Sequence, residues 1–524
     1  MQNKLDKRIL ETSDINEINP DLQKLNIISH HLAEKSESLI FDGEKNKLCI
    51  LTTNRFPNIL TQILDKIAAK GYSFEFYYTD ELAFSLALNW YDDLHAKEEK
   101  EEQDVKERKN VRGKDALKMI KKVYEEKDKF QEGEFIQEII RLSFQSGASD
   151  LHLQPEESGV VLRVRRDGVL KTVFVFEHKE FRKYMMKLKF MSGARINVDT
   201  IPQDGRFDFT SYENGKETKI DVRINFMPGL RGESVVMRFL DANKSILSFG
   251  KIGFMDDSLS ILQNNLQKNY GMILVTGPTG SGKTTTLYSM LNYLNDPGKK
   301  IITLEDPVEY ELPGIQQSQM SEKDGYTYEK GLKAVLRQDP EVIMVGEIRT
   351  LETAEIAISA ALTGHLVIST LHTNTAIEAV SRLLNMGVKP YMLAPALNLV
   401  VGQRLVRKIH DCHTKKQAGF AESEEVRTTI KKIKDAKKVD VDFDGNLPHP
   451  AGCEFCGHEG FSGRIAAVET FELNDEIKDA IVANKTSLEI YSIARQSGYL
   501  TMKEDGYIKM LKNYTTLDEI RRML

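Results

Sequence analysis

A short glycine-rich segment between a predicted strand and a predicted helix constrains the fold most. Residues 277–284 read GPTGSGKT and match the pattern G-x-x-x-x-G-K-[ST], with MILVT before them and TTLYSMLNYL after them. Glycines permit positive φ angles and close approach of the backbone, so successive N–H groups can surround a phosphate. The start of the following helix adds free N–H donors. The segment therefore predicts a nucleotide-binding loop in an α/β domain.

The side chains of this loop are expected to complete the site. Lys283 is placed to neutralise the β- and γ-phosphates, and Thr284 to bind Mg²⁺. The predicted nucleotide-binding residues here are Gly277, Pro278, Thr279, Gly280, Ser281, Gly282, Lys283, Thr284 and Thr285.

Carboxylates follow two further apolar runs. ITLEDPVEY places Glu305 and Glu309 at and just after the end of a strand, and VIMVGEIR places Glu347 where a Walker B acid is expected. Ligands bind at the carboxyl edge of a parallel sheet, so these residues are candidate catalytic groups. Glu347 could hold Mg²⁺ through water or orient the attacking water. The division of roles among the three glutamates stays open.

Two histidines flank a third apolar run. In GHLVISTLHTN, His365 precedes the predicted strand and His372 follows it. A histidine beside an apolar strand is usually structural. Because both flank a strand of the nucleotide-binding sheet, we predict a nucleotide-sensing role for at least one of them.

The chain divides by composition. Residues 1–93 predict a small α/β domain, and 94–130 a charged linker. In 95–109, HAKEEKEEQDVKERK, 11 of 15 residues are charged, which favours a spacer over a docking helix. Residues 131–245 show a helix followed by alternating strands, and 246–524 alternate apolar strands with helices, as in a parallel sheet covered on both faces. Within the last domain lie a Cys/His module (about 405–465) and C-terminal helices (about 470–524).

Three of the four cysteines cluster late in the chain, whereas Cys49 lies in an apolar run and is expected in a core. In a chain without an export signal, such clustering indicates metal before disulfide. The first-choice ligand set for a structural Zn²⁺ is His410, His413, Cys453 and Cys456. Cys412 in place of one histidine is the alternative, and a module held by packing alone is another.

Composition excludes several classes of protein. The 524 residues are 41% hydrophobic and 29% charged, as in multidomain globular proteins. The net charge of −6 argues against a dedicated duplex-DNA binder. No apolar run reaches the roughly 18 residues of a membrane span, and the N-terminus lacks a signal-peptide core, so we expect a cytoplasmic protein.

Together these motifs resemble the secretion ATPase superfamily of type II secretion and type IV pilus assembly. The segments that carry the resemblance are the loop at 277–284, LEDPVEYELPGIQQSQM, LRQDPEVIMVGEIRTLETAEIAISAALTGHLVISTLHTN, SDLHLQP, PQDGRF, QRLVRK and GCEFCGHEGFSGR. They cover roughly residues 131–524. The resemblance implies a RecA-like motor domain, preceded by a PAS-like second domain and a small N-terminal α/β domain.

The resemblance also implies function and partners. It predicts a cytoplasmic homohexamer that hydrolyses ATP to extend a type IV pilus or, as the less favoured alternative, a type II secretion pseudopilus. The motor would act on an inner-membrane platform protein and be peripherally associated with that membrane. Retraction ATPases of the superfamily lack both an extra N-terminal domain and a cysteine module, so assembly is favoured over retraction.

Arginines complete the expected catalytic set. Arg206, Arg223 and Arg238 lie in the stretches that match the family's arginine motifs, and Arg404 and Arg407 lie in QRLVRK. They are candidates for γ-phosphate contacts within a chain or across a subunit boundary. The family usually shows C-x-x-C after its Arg-Leu-Val-Arg segment, where this chain has HDCH at 410–413.

Two other functions are weaker candidates. A nucleic-acid motor would need a basic channel and stacking aromatics, and this chain has one Trp and a net negative charge. We therefore expect no nucleic-acid partner. A non-catalytic regulator or zinc-ribbon binding module would have a damaged catalytic set, whereas Lys283, Thr284, Glu305 and Glu347 are all present.

Overall fold

The computed structural model describes residues 9–44, 46–53, 58–92, 94, 113–130, 133–213, 216–240, 246–436, 439 and 441–524. The chain forms two compact units, Met1–Asn110 and Val111–Leu524. The predicted spacer at 95–109 lies outside the described residues.

The first unit is a small α/β layer. Its three-stranded sheet has the order β1-β2-β3, with β1 and β2 antiparallel and β2 and β3 parallel. Cys49 lies in its core, where burial raises the pKa of the thiol to about 11. Its strands are Ser38–Glu44, Lys47–Thr53 and Ser73–Thr79, and its helices are Thr12–Ile15, Leu22–Leu25, His30–Ser36, Asn58–Ala68 and Glu81–Leu88.

The second unit begins with a six-stranded antiparallel sheet of order β6-β5-β4-β9-β8-β7. One face packs against helices, because alternate residues of each strand are apolar. Strands β4 to β9 are Asp150–Glu156, Gly159–Arg166, Val169–Phe176, Gln203–Glu213, Lys216–Met227 and Ser234–Leu240. The helices are Gly113–Glu125, Glu134–Gln145 and His178–Ser192, with a 3₁₀ turn at Lys127–Lys129.

The helix Gly113–Glu125 lies within the range predicted as linker. Ala116, Ile120 and Val123 recur on one helical face and are fully buried in the same core as the sheet. The prediction of a linker over 94–130 is therefore wrong for 113–125. Its high overall charge concealed an apolar stripe of helical period.

The remainder is built on a seven-stranded sheet of order β12-β11-β13-β14-β10-β15-β18. Its strands pair in parallel except β15 and β18, and buried apolar clusters cover both faces, as predicted. The strands are β10 Gly271–Thr276, β11 Ile301–Glu305, β12 Gln316–Gln319, β13 Val342–Val345, β14 Leu366–Leu371, β15 Leu397–Ile409 and β18 Phe461–Glu472.

Helices surround this sheet. In the described ranges, no helix combines the length and apolar character needed to cross a membrane. The helices are Phe249–Ile252, Asp256–Leu266, Lys283–Leu294, Tyr328–Val335, Leu351–Leu362, Ala376–Met386, Pro390–Ala396, Asp475–Val482, Ser487–Gln496, Met502–Leu511 and Leu517–Met523, with a 3₁₀ turn at Glu322–Asp324.

An excursion between β15 and β18 forms the Cys/His module. Its strands β16 (Thr414–Gln417) and β17 (Asn446–His449) pair antiparallel, and the helix Phe420–Ala436 lies between them in sequence. The buried face of this helix packs with residues of the helices Met502–Leu511 and Leu517–Met523. The module and the C-terminal helices therefore share one small core.

Candidate active site

The glycine-rich loop leaves the carboxyl end of β10, which lies between β14 and β15. Gly277, Gly280 and Gly282 have φ values of +146°, +80° and +90°. A Cβ on Gly277 would lie 2.4 Å from the carbonyl oxygen of Gln403 and 2.6 Å from Oγ of Ser281. Only glycine fits there, as expected for a loop whose backbone surrounds a phosphate.

Lys283 starts the helix that follows the loop. Its Nζ donates to the carbonyl oxygens of Gly277, at 2.8 Å, and of Pro278, at 3.2 Å. Burial lowers the pKa of Lys283, and the negative charge of Glu347 opposes that shift. The charged form of the Lys283 side chain is therefore less stable at the loop than in water. A bound phosphate would stabilise it.

The other residues of the loop differ in solvent exposure. Pro278, Thr279, Gly280 and Thr284 are exposed, and Thr285 is half-buried. Oγ of Ser281 is buried without a hydrogen-bond partner in the protein. An unpaired buried hydroxyl next to exposed loop backbone fits a site that accepts a polar ligand.

Glu305 ends β11 and is almost fully buried. One carboxylate oxygen accepts from Oγ1 of Thr303 at 2.6 Å and Nε2 of Gln317 at 3.1 Å, and the other accepts from the hydroxyl of Tyr288. The backbone N–H of Glu309 donates to the same Tyr288 oxygen at 3.2 Å. Glu305 therefore anchors the segment after β11.

Glu347 follows β13 at the same edge of the sheet. Its carboxylate lies 2.6 Å from the Arg349 guanidinium and 3.4 Å from Nε2 of His372. The hydrogen bond to Glu347 raises the pKa of Arg349. The preceding carbonyl, of Gly346, accepts from Oγ1 of Thr370 at 2.7 Å. Arg349 and His372, which follow β13 and β14, thus restrain this half-buried carboxylate.

The two histidines lie at opposite ends of β14. His372 follows the carboxyl end and contacts Glu347, whereas the carbonyl of His365 accepts from the N–H of Gly271, which begins β10. Six residues separate the two ends, a span of about 20 Å. Within one chain His365 therefore lies away from the glycine-rich loop, and its ring contacts the carbonyl of Ala360 at 3.0 Å. The sensing role predicted for at least one of the two histidines stays a prediction.

Arg206, Arg223 and Arg238 form a row across three neighbouring strands. Arg223 lies directly opposite Arg206 on β7 and Arg238 on β9. Like charges opposite one another are destabilising, and each arginine here has a counter-charge. Arg206 pairs with Asp221 at 2.6 Å and Arg238 with Asp150 at 2.9 Å.

Arg223 alone of this row contacts the residues after β11. It donates to the carbonyl of Val308 at 3.3 Å and lies 3.5 Å from the Glu309 carboxylate. The side chains of Arg206 and Arg238 remain 69% and 60% exposed. The row therefore joins the antiparallel sheet to the segment after β11 through Arg223, and leaves Arg206 and Arg238 accessible.

Arg404 and Arg407 contact the C-terminal helix instead of the loop. Arg404 donates to the carbonyl of Met523 at 2.9 Å and to Oδ1 of Asn374 at 3.2 Å. Arg407 pairs with Glu519 at 2.6 Å and stacks on Phe461. Within one chain both guanidinium groups contact the helix Leu517–Met523 and not the loop, and nucleotide binding by Arg404 and Arg407 stays a prediction.

The metal-ligand cluster contains Cys412 in place of His413. Potential ligand atoms of His410, Cys412, Cys453 and Cys456 all lie within 4.8 Å of one another. Nδ1 of His413 instead lies 3.2 Å from the carbonyl of His410. The first-choice set with His413 is therefore wrong, and the cluster matches the alternative with Cys412.

The spacing of this cluster suits tetrahedral zinc. Sγ of Cys412 lies 3.8 Å from Sγ of Cys456, and Sγ of Cys453 lies 3.7 Å from Nδ1 of His410. With Zn–S of about 2.3 Å and Zn–N of about 2.0 Å, tetrahedral geometry separates two sulfurs by about 3.8 Å and sulfur from nitrogen by about 3.5 Å. Burial opposes ionisation of Cys456, but N–H donors of Cys453 and Gly460 lower its pKa to about 6.

Sequence reasoning missed two residues that support the site. Tyr288 links Glu305 to the backbone of Glu309, and Gln403 contacts the glycine-rich loop from β15. In the sequence, nothing distinguishes Tyr288 from the other residues of the predicted helix. Gln403 precedes Arg404 in a segment already singled out, but only the pairing of β15 with β10 reveals its contact with the loop.

Comparisons with known proteins identify relatives over most of the chain. A family model described as "Type II/IV secretion system protein" matches residues 125–522. The type IV pilus assembly ATPase PilB of Thermus thermophilus is 41% identical over 387 residues, which are 74% of this chain and 42% of that protein. The type II secretion system protein E of Xanthomonas campestris is 41% identical over 385 residues, 74% of this chain and 66% of that protein.

These alignments therefore span less than two thirds of either relative. Among solved structures, the ATPase DotB of Legionella pneumophila matches with a TM-score of 0.53 and 20% identity, covering 74% of this chain and 95% of that chain. This likeness supports the predicted multidomain α/β fold.

Proposed function

Since this chain belongs to the type II/IV secretion system protein family, we propose that it binds and hydrolyses ATP at residues 277–284 to power filament assembly. The observation that carries the proposal is the placement of Lys283 and Glu347 at one edge of a parallel sheet, close enough for electrostatic interaction. A cation at the phosphates and a carboxylate able to accept a proton from water are what phosphoryl transfer to water requires.

The loop would hold the phosphates through its backbone N–H groups and Lys283. Lys283 would exchange its two carbonyl partners for phosphate oxygens. The negative charge of the phosphates would stabilise its ammonium group and offset the effect of burial. Thr284 and, through water, Glu347 would hold Mg²⁺, since both offer the oxygen donors that this ion prefers. When bound, Mg²⁺ offsets the negative charge of the β- and γ-phosphates.

Among the three glutamates, Glu347 best fits the role of orienting the attacking water and accepting its proton. Arg349 and His372 restrain its direction, and it lies at the sheet edge with the loop. Glu305 already accepts hydrogen bonds on both oxygens, so its role is to position the segment after β11. Glu309 pairs with Arg223 and would transmit nucleotide binding to the antiparallel sheet.

The working assembly is proposed to be a homohexamer. The exposed Arg206 and Arg238 would contact the γ-phosphate in a neighbouring subunit, and Arg223 would do so after exchange of its Glu309 partner. The support for this assignment is exposure: the side chains of Arg206 and Arg238 remain 69% and 60% exposed beside Arg223, which contacts the segment after β11.

The machine is proposed to be a type IV pilus or a type II secretion pseudopilus, since relatives of both names align equally well. The motor would act from the cytoplasm on an inner-membrane platform protein. Deleting the gene in its native host and restoring it distinguishes the systems: loss of surface pili identifies pilus extension, and loss of secreted enzymes identifies secretion. Loss of neither would contradict the proposed machine.

Lys283→Ala tests the ATPase directly. Removing the loop's ammonium leaves the β- and γ-phosphate charge uncompensated, so we expect ATP turnover to fall to background. Phosphate release by the purified protein measures it. Lys299→Ala is the matched control, because this exposed lysine precedes β11 at the opposite sheet edge. Wild-type turnover by Lys283→Ala would place hydrolysis elsewhere, and turnover dependent on single-stranded DNA would favour a nucleic-acid motor.

A further inference from the structure

Gln403 lies on β15 at the level of the glycine-rich loop. It follows Gly402, which pairs with Thr276 at the end of β10, and it is fully buried. A buried amide needs partners for both its donor and its acceptor atoms, so its contacts define what it does.

Both ends of the Gln403 amide contact the loop and its helix. Nε2 donates to the carbonyl oxygen of Ser281 at 2.7 Å, and Oε1 accepts from Oγ1 of Thr286 at 2.7 Å. Thr286 is also fully buried. One side chain therefore spans from the loop to the first turn of the helix Lys283–Leu294.

Gln403 also lies against two loop glycines. A Cβ on Gly277 would lie 2.4 Å from the carbonyl oxygen of Gln403, and one on Gly282 would lie 3.1 Å from its Nε2. The loop is thus packed on this residue as well as hydrogen-bonded to it.

The direction of the Ser281 carbonyl matters for phosphate binding. In a planar trans peptide the C=O of one residue and the N–H of the next point in opposite directions. Because Gln403 holds the Ser281 carbonyl toward β15, the Gly282 N–H is turned away from β15. This N–H is one of the donors that such loops offer to phosphate.

We propose that Gln403 is a positioning residue for the phosphate chain of the nucleotide, acting through the Ser281–Gly282 peptide and through Thr286. The inference rests on the proposed nucleotide-binding function. It predicts that the amide sets the affinity of the loop for phosphates without touching them.

Gln403→Glu keeps the shape but replaces the donor by an acceptor that faces the Ser281 carbonyl. We expect the Kd for ADP, measured by calorimetry, to rise about 10-fold or more, as for loss of a buried hydrogen bond. KM for ATP should rise by a similar factor while kcat falls less, because the Gly282 N–H serves ground state and transition state alike.

Asn398→Asp is the matched control on the same strand. Asn398 is buried and its Nδ2 donates to the carbonyl of Tyr270 at 2.9 Å, at the opposite end of β10. It should lower the thermal midpoint of the nucleotide-free protein as Gln403→Glu does, but leave the Kd for ADP within about twofold of wild type. Equal loss of affinity in both variants would overturn the proposal.

Thr286→Val provides a second variant if Gln403→Glu does not fold. It removes the hydroxyl that holds Oε1 of Gln403, so we expect a smaller rise in the Kd for ADP, about 3-fold to 10-fold. Unchanged affinity in Gln403→Glu, or in Thr286→Val where that is the folded variant, would overturn the proposal. If wild-type protein binds no ADP, the proposed function itself fails; if Lys283→Ala loses binding while these variants keep it, only this inference fails.

Discussion

At the scale of single residues, the carboxyl edge of the seven-stranded sheet combines restrained carboxylates with a partly desolvated cation, Lys283. Glu347 has two close cationic or ring partners, and Lys283 has carbonyl partners in the loop. Burial lowers the pKa of Lys283, so a nearby anion stabilises its charged form. In the proposed function, the phosphates of the nucleotide would be that anion.

Glu347→Gln tests the assignment of the base. The amide keeps the shape of the carboxylate but cannot accept a proton, so ATP binding should persist while hydrolysis falls on the order of 10²–10⁴-fold. Equilibrium ATP binding and phosphate release measure the two effects. Glu355→Gln, at an exposed position of the helix Leu351–Leu362, is the control. Normal hydrolysis by Glu347→Gln together with an inactive Glu305→Gln would move the base to β11.

At the scale of elements, the two ends of the Cys/His module meet at the cluster. There His410 and Cys412 lie close to Cys453 and Cys456, which are about 40 residues later in the sequence. The ligand atoms approach from the turn after β15 and from the turn before β18. Four protein donors leave no open position for water, so bound zinc would be structural. Loss of the zinc would therefore destabilise the core that the module shares with the helices Met502–Leu511 and Leu517–Met523.

Cys453→Ser should therefore release the metal and destabilise the module without abolishing nucleotide binding. We expect about one zinc per chain in purified wild-type protein and much less in the variant, measured by elemental analysis. The unfolding midpoint should fall, while the Kd for ADP stays near the wild-type value. His413→Ala is the control, because His413 lies outside the cluster. Zinc-free wild-type protein of unchanged stability would contradict the assignment.

At the scale of the second compact unit, ion pairs connect the antiparallel sheet to the seven-stranded sheet and to the Cys/His module. Arg223 contacts Val308 and Glu309. Glu459, three residues after Cys456 of the Cys/His cluster, pairs with Lys171 on β6 and lies 3.9 Å from Arg166. The nucleotide edge and the Cys/His module thus each contact the sheet through ion pairs, which can exchange partners at modest cost.

Mixing Arg223→Ala subunits with wild type tests whether the arginine row works across subunits. If a subunit supplies an arginine to its neighbour's nucleotide, each variant subunit impairs more than its own site, so ATPase activity should fall more steeply than the variant fraction. Phosphate release is measured over a series of ratios at constant total protein. Arg163→Ala, whose arginine pairs with Glu156 on the neighbouring strand, should show no such excess loss. Strictly proportional loss would mean independent subunits.

The sequence alone predicted the local motifs, because their chemistry depends on residues that are close together in the chain. The loop at 277–284 follows from a turn, its glycines and the first turn of a helix, and the apolar runs around it predicted the parallel sheet. The order of the strands, and so the neighbours of Glu347, did not follow from those runs.

Tertiary structure decided what depends on strand direction, register and long-range approach. Parallel pairing places His372 at the carboxyl edge of the sheet, beside Glu347, and His365 at the opposite edge, although both flank the same strand. Antiparallel register aligns Arg206, Arg223 and Arg238, which lie 15 or more residues apart in sequence. The candidate zinc ligands differ from the first choice for the same reason: the register of the family's two cysteines favoured His413, but the approach of the distant Cys453 and Cys456 brings Cys412 to the cluster.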